Sequence, residues 1–329
     1  MLSSMLYRDA VREVWKVEGE KAIDGLNGLL TNDLSGPEPG SVIPCLALTP
    51  RGRPLVDLRV WKRIPQAGPL LLDLSTAGSE PLREHLGRYL PPRFARIVPL
   101  EEAGILRILG PRASSVLTEV LGGGFDPPPT DRFSELEIDS EHVLVAGRPE
   151  TEGGGWEILA LHGADRVQSA LDAAVQASGG DSISDESWET IRIERGIPRY
   201  GVDYGLENHP QETGLTGRTV SFEKGCYTGQ EVVARIHYRG RVNRRLVGLS
   251  GDGRDRPGNG ATRGGTGRSV VDVGRGRSDD RGPDLALYVD VKFYPPGLYF
   301  PVRPGSFALR SIVRPTNAVR SRPRAFERS

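Results

Sequence analysis

Apolar periodicity runs through this 329-residue chain as far as Leu249 and then stops. Before that point, two spacings alternate. Leu55-Val56-Asp57-Leu58-Arg59-Val60-Trp61 alternates apolar and polar positions, as a half-buried strand does. Leu70-Leu71-Leu72, His142-Val143-Leu144-Val145 and Trp156-Glu157-Ile158-Leu159-Ala160-Leu161 are runs of strand length. Between them lie helical stripes: Leu82, Leu86, Tyr89 and Leu90; Val116, Leu117, Val120 and Leu121; Val167, Leu171, Ala174 and Val175. The second stops at Gly122-Gly123-Gly124 and the third at Gly179-Gly180. A fourth helix starts at Ser184-Asp185-Glu186 and runs to Gly196 and Pro198. Strands and helices that interleave in this way predict an α+β body over residues 1–245. No G-x-G-x-x-G or G-x-x-x-x-G-K-[ST] appears, so a dinucleotide fold or a P-loop has no support.

After Leu249 the character changes. Residues 251–282 hold ten glycines and seven arginines among 32, which suits a loop-rich segment or a shifted reading frame in GC-rich DNA. Leu285 to Val289 and Phe307 to Leu309 recover a strand pattern. Residues 246–314 are read as an irregular second domain and 315–329 as a basic disordered tail. Charge divides along the same line. From Lys224 onward there are 21 Lys/Arg against 9 Asp/Glu, and before it 22 against 34. Such a split fits two domains that attract each other, or a basic half that meets an anion. Only 5 of the 43 basic residues are lysine, a GC-rich signature that weakens any argument for nucleic acid from arginine alone.

Two cysteines, Cys45 and Cys226, exclude a disulfide framework and a permanent four-cysteine metal centre within this chain. The first fifteen residues carry Arg8, Asp9, Arg12 and Glu13 and lack a signal-peptide core, and no run approaches membrane-span length. A reducing, cytoplasmic setting without membrane partners is expected.

One octapeptide stands apart: Lys224-Gly225-Cys226-Tyr227-Thr228-Gly229-Gln230-Glu231. Thr228 and Glu231 have capping-box spacing ahead of a helical run, with Gln230 and Glu231 capping the helix and holding neighbouring groups. Cys226 would sit outside a helix N-terminus beside the Lys224 ammonium, two influences that favour a thiolate. Gly225 and Gly229 would let the backbone approach a ligand. The plain alternative is a tight turn with an inert cysteine. Beyond it, Arg235, Arg239, Arg241, Arg244 and Arg245 with His237 and Tyr238 form a basic cluster suited to phosphate or carboxylate, or simply to solvent.

KGCYTGQE resembles the hallmark of the YgfZ-type folate-binding proteins, relatives of the glycine-cleavage aminomethyltransferase. The likeness extends to Gly28-Leu29-Leu30-Thr31-Asn32-Asp33-Leu34, Leu48-Thr49-Pro50-Arg51-Gly52-Arg53, Ile193 to Gly201 and His209 to Leu215. It implies an α+β body with a central tetrahydrofolate cavity and a small C-terminal β-barrel, of which residues 251–282 offer little. It further implies Glu157 as the pterin-binding carboxylate and Arg192 as the partner of the folate's anionic tail. A solvent-facing strand position and a charged helix surface are the plain readings of those two. Asp57 is similar to one of two strand aspartates of the transferase, the other being valine here. The resemblance implies a tetrahydrofolate-binding assistant of iron–sulfur protein assembly or repair, with an indirect effect on tRNA modification. Its partners would be iron–sulfur client or assembly proteins, with Cys226 as a redox thiol or transient metal ligand rather than a turnover catalyst. The alternatives are an aminomethyltransferase of glycine cleavage and, less favoured, an RNA-binding module using the basic half.

Overall fold

Strand alternation places charged and apolar residues on opposite faces, and two sheets use that alternation to share one interior. The computed structural model describes residues 4–64, 68–123, 125–147, 155–240, 242, 246–249, 271–273 and 287–291. The first half of the body contains β1 (Met5–Arg8), β2 (Arg12–Glu18), α1 (Ala22–Asn27), β3 (Ser41–Leu48), β4 (Pro54–Lys62), β5 (Leu70–Ser75), α2 (Ser79–Tyr89) and β6 (Arg96–Pro99). The second contains β7 (Gly104–Leu109), α3 (Ala113–Val120), β8 (Phe133–Ile138), β9 (Glu141–Gly147), β10 (Gly155–Ala160), α4 (Ala164–Ala177), β11 (Asp181–Ser182) and α5 (Asp185–Glu194). Two further helices, α6 (Thr216–Thr219) and α7 (Gln230–Arg239), follow.

One sheet has the order β3-β4-β5-β2-β6, with every neighbouring pair antiparallel. The other has the order β11-β1-β7-β10-β9-β8, antiparallel except for β1 with β11. Val56, Leu58 and Val60 of β4 join Trp15, Leu72 and Leu74 in a core closed by Ala22 and Leu26 of α1 and by Leu82 and Leu86 of α2. Trp156, Ile158 and Ala160 of β10 pack instead with Val116 and Leu117 of α3 and Val167, Leu171 and Val175 of α4. Burying each of these large side chains contributes about 1.5–3 kcal/mol. The opposite face of each sheet meets the other sheet: Val14, Trp61 and Leu71 pack against Ile105, Leu144 and Leu159. The order is therefore helices, sheet, sheet, helices. Among the described residues no helix is long and apolar enough to cross a membrane.

The expected helices appear as α2, α3, α4 and α5, the last capped by the Ser184 hydroxyl, which accepts from the Ser187 N–H. Tyr89 is a correction: it is 41% exposed although it shares the apolar stripe of α2. The C-terminal barrel amounts, among the described residues, to one antiparallel sheet of β12 (Leu246–Leu249), β14 (Leu287–Val291) and β13 (Val271–Val273) in that order. The Phe307–Leu309 pattern and the basic tail lie outside the described residues.

Candidate functional site

The inter-sheet space holds charge beside its apolar residues. Asp57 and Arg59 lie on the same face of β4 as Trp61, so alternation sends them toward the second sheet while Val56 packs beneath the helices. A chain of ion pairs follows. Arg12 of β2 binds Asp57 at 2.8 Å and also Asp73 of β5. Arg59 bridges Asp73 and Glu157, joining the sheets. Arg107 of β7 binds Glu157 at 3.1 Å and closes on Asp9. Burial on its own would raise the Asp9 carboxyl, but Arg107 and Arg12 outweigh it and hold that carboxyl low. Four carboxylates thus face three guanidinium groups, an excess of one acid. Asp57 ends the chain, its side chain 23% exposed.

The Tyr204 hydroxyl is buried without a hydrogen-bond partner, and its pKa is driven up by desolvation and then by Asp57. An open carboxylate beside an unsatisfied phenol is a place for a ligand with both donors and acceptors. Asp57 and Tyr204, the latter a residue the sequence did not single out, are the members of this network with hydrogen-bonding capacity to spare. Glu157 has less. It is fully buried rather than solvent-facing, and both of its oxygens already meet arginines. Arg192 is likewise engaged, 2% exposed, by Glu189, by Asp203 at 2.6 Å and by the Ile197 carbonyl at 3.1 Å. It fixes the turn after α5 and, as placed, leaves little to offer a glutamate tail. The same helix reaches the charge chain through Trp188, which stacks on Tyr7 with its ring 4.8 Å from the Arg107 guanidinium.

The octapeptide lies apart from that chain, on the loops whose sequences resemble the same family. Lys224 Nζ donates to the carbonyls of Asn27 (2.6 Å), Leu30 (2.8 Å) and Asn32 (2.8 Å) and to Asn27 Oδ1 (3.0 Å). This corrects the expected pairing with the thiol: the ammonium gathers the 27–32 loop. Desolvation brings its own pKa down to about 8 despite Cys45 and Asp33. The Thr228 N–H donates to the Gly28 carbonyl at 3.1 Å, and the Gln211 amide reaches the Val233 carbonyl at 2.8 Å. Tyr227 is buried with Leu46, Leu48, Val220 and Val233, and its hydroxyl, lacking a partner, is pushed up to about 12 by burial.

The helix begins one residue later than the capping-box spacing suggests. Gly229 is the N-cap of α7 and no side chain caps it, which corrects the cap expected from Thr228, Gln230 and Glu231. The reason is steric. Gly229 has φ +82°, and a Cβ there would stand 2.6 Å from the Thr49 carbonyl oxygen and 3.0 Å from Gly52. Gly229 serves this backbone crossing between the motif and the 49–53 turn, whereas Gly225 faces open space. Cys226 is left exposed and free, while Cys45 is buried. His237 stacks on Phe222 with ring centroids 3.7 Å apart. Of the basic cluster, Arg241, Arg244 and Arg245 lie outside the described residues.

Comparison with known proteins bears on the fold and the family. The chain is 28% identical over 249 residues to an aminomethyltransferase of Pelodictyon phaeoclathratiforme, covering 73% of this chain and 66% of the relative. It is 34% identical over 151 residues to the tRNA-modifying protein YgfZ of Pectobacterium carotovorum, covering 44% of each. The chain thus spans less than two thirds of these relatives' lengths. The solved aminomethyltransferase T of the glycine cleavage system from Bartonella henselae superposes with a TM-score of 0.74 at 20% identity, over 88% of this chain and 79% of that one, a likeness of fold. Residues 11–224 match the GCVT N-terminal domain, and the chain belongs to that family, among its YgfZ-like and aminomethyltransferase-like members.

Proposed function

We propose that this chain is a tetrahydrofolate-binding protein that assists the assembly or repair of iron–sulfur proteins in the cytoplasm, acting on tRNA modification only indirectly. Family membership supports a folate ligand at the level of class. The observation that carries the finer reading is the division of labour in the octapeptide: Lys224 and Gly229 fasten it to the 27–32 and 49–53 loops while the Cys226 thiol stays exposed. A thiol held on a fixed loop and open to solvent is placed to meet a partner's metal or sulfur. Bound folate would supply a one-carbon carrier. Asp57 and Tyr204 would hold its polar edge, and the Asp57 carboxylate could accept an N–H without giving up its pair with Arg12.

In a strain lacking its own copy, wild-type protein should restore an iron–sulfur enzyme, and Cys226→Ala should fold and bind tetrahydrofolate yet fail to restore it. Full rescue by Cys226→Ala would remove the thiol's role. Tetrahydrofolate affinity unchanged in Asp57→Ala would remove the ligand site.

An aminomethyltransferase is the second reading, favoured by the identity to such an enzyme and by Asp57 facing the interior. It requires methylenetetrahydrofolate to form from an aminomethylated carrier protein, and the absence of turnover in that assay excludes it.

A further inference from the structure

The octapeptide has a second fastening, reached through the short turn Pro210–Glu212. That turn packs between α7 and the 49–53 turn. The Gln211 amide donates to the Val233 carbonyl at 2.8 Å, and Arg53 donates to the Glu207 carbonyl just ahead of the turn. Gly52 lies against Gly229 and Val232, so closely that a Cβ on it would stand 3.0 Å from Val232. Whatever seats the 209–212 turn therefore steadies the start of α7 and the end of the motif.

His209 occupies this junction. Its N–H donates to Glu212 Oε2 at 2.9 Å and its carbonyl accepts the Glu212 N–H at 2.9 Å, which closes the turn. Its half-buried ring faces the Gly52 backbone. The charged groups acting on it are Arg53 from the 49–53 turn, Arg235 from α7 and Glu212 from its own turn. Ring Nδ1 is buried and has no acceptor for a proton, and the nearby Gln211 Oε1 is also buried without a partner. A proton on the ring thus buries a donor that nothing receives. It also sets a third positive charge beside Arg53 and Arg235, with Glu212 alone opposing. Desolvation, Arg53 and Arg235 outweigh Glu212 and Gly52 and hold the imidazole below the usual histidine range. Such a group stabilises the fold above its unfolded pKa of about 6.5 and gives that stabilisation up as pH falls below it.

We propose that His209 is a proton-operated clasp: neutral, it seats the 209–212 turn against the 49–53 turn and α7, and a proton on Nδ1 loosens both and frees the loop that carries Cys226. The clasp puts the exposed thiol of the functional reading under pH control, yet it acts with neither folate nor a cluster bound.

Hydrogen exchange of the full chain without ligand, corrected for the intrinsic effect of pH, tests the clasp. Between about pH 7.5 and about pH 5.0 the amides of residues 49–53 and 229–233 should lose protection about fivefold more than those of α4. That helix packs on the other sheet and holds no histidine. His209→Gln stays neutral at both pH values and should abolish the difference. Arg235→Gln, at an exposed position of α7, removes one repelling charge and should shrink it. Equal losses in α4 and the two segments overturn the clasp, as does a loss that persists in His209→Gln. Should that variant not fold, a loss in Arg235→Gln as large as in wild type overturns it. These readouts do not depend on tetrahydrofolate binding, so the clasp and the folate reading fail separately.

Discussion

The inter-sheet chain of ion pairs and the octapeptide loop both place cations where water is scarce, and they use them in opposite ways. Between the sheets each arginine meets two carboxylates from separate parts of the chain, so side-chain charge is matched to side-chain charge. In the loop, Lys224 has no carboxylate partner among the described residues and is satisfied by three carbonyls and an amide oxygen. The first arrangement fixes one sheet against the other. The second draws a distant loop under the motif and leaves the residue two positions on, Cys226, exposed. The comparison teaches that charge inside this molecule is architectural first. What is left open to solvent at its ends is Asp57, in part, and Cys226.

The most severe way to break the comparison is to cut the charge chain where it joins the two sheets. Glu157→Ala removes the carboxylate shared by Arg59 and Arg107, leaving the first with Asp73 and the second with Asp9, and should cost about 3–5 kcal/mol, the penalty of breaking a buried ion pair by removing one partner. Chemical denaturation measures it. A loss below 1 kcal/mol would mean that the chain does not hold the sheets, and would free Glu157 for the pterin role its position suggested. Gly229→Ala comes next. It forces an alanine to φ +82° with its Cβ against the Thr49 carbonyl, and should cost about 1–3 kcal/mol. The same change at Gly225, which faces open space, should be within about 0.5 kcal/mol of wild type. Equal effects at the two glycines would show that the motif does not depend on the crossing.

The residues themselves explain how much was legible. Helical stripes such as Val167, Leu171, Ala174 and Val175 were readable because a period of 3.6 is local and one buried face suffices. Alternation along β4 correctly separated Val56, Leu58 and Val60 from Asp57 and Arg59. It could not say that a second sheet, rather than water, covers the polar face. Arg12, Arg107 and Asp73 therefore passed unnoticed, and Glu157 and Arg192 were given ligands where the fold gives them internal partners. Lys224 was judged by its nearest sequence neighbour, but its partners lie 192 to 197 residues upstream. The octapeptide was legible as a motif because one of only two cysteines stands among glycines in a fixed order. The fastening loops became visible only once the chain had closed.

The smallest effect carries the sharpest sign. Lys224 has an ordinary pKa of 10.5 when the chain is unfolded and one of about 8 when its ammonium is desolvated in the folded protein. Between those values the unfolded chain binds more protons than the folded one, so stability from this group increases as pH rises from about 8 toward 10.5. It is lost as pH falls through 8, where the folded protein must carry the desolvated charge. Lys224→Met removes the titration. The difference in melting temperature between wild type and Lys224→Met should therefore move in favour of wild type across that window, by a modest amount because the side chain is partly solvated. A difference that stays flat, or moves the other way, would show that the four oxygens stabilise the ammonium more than burial penalises it. Lys224 would then resemble the matched arginines between the sheets, and the contrast between the two regions would fail.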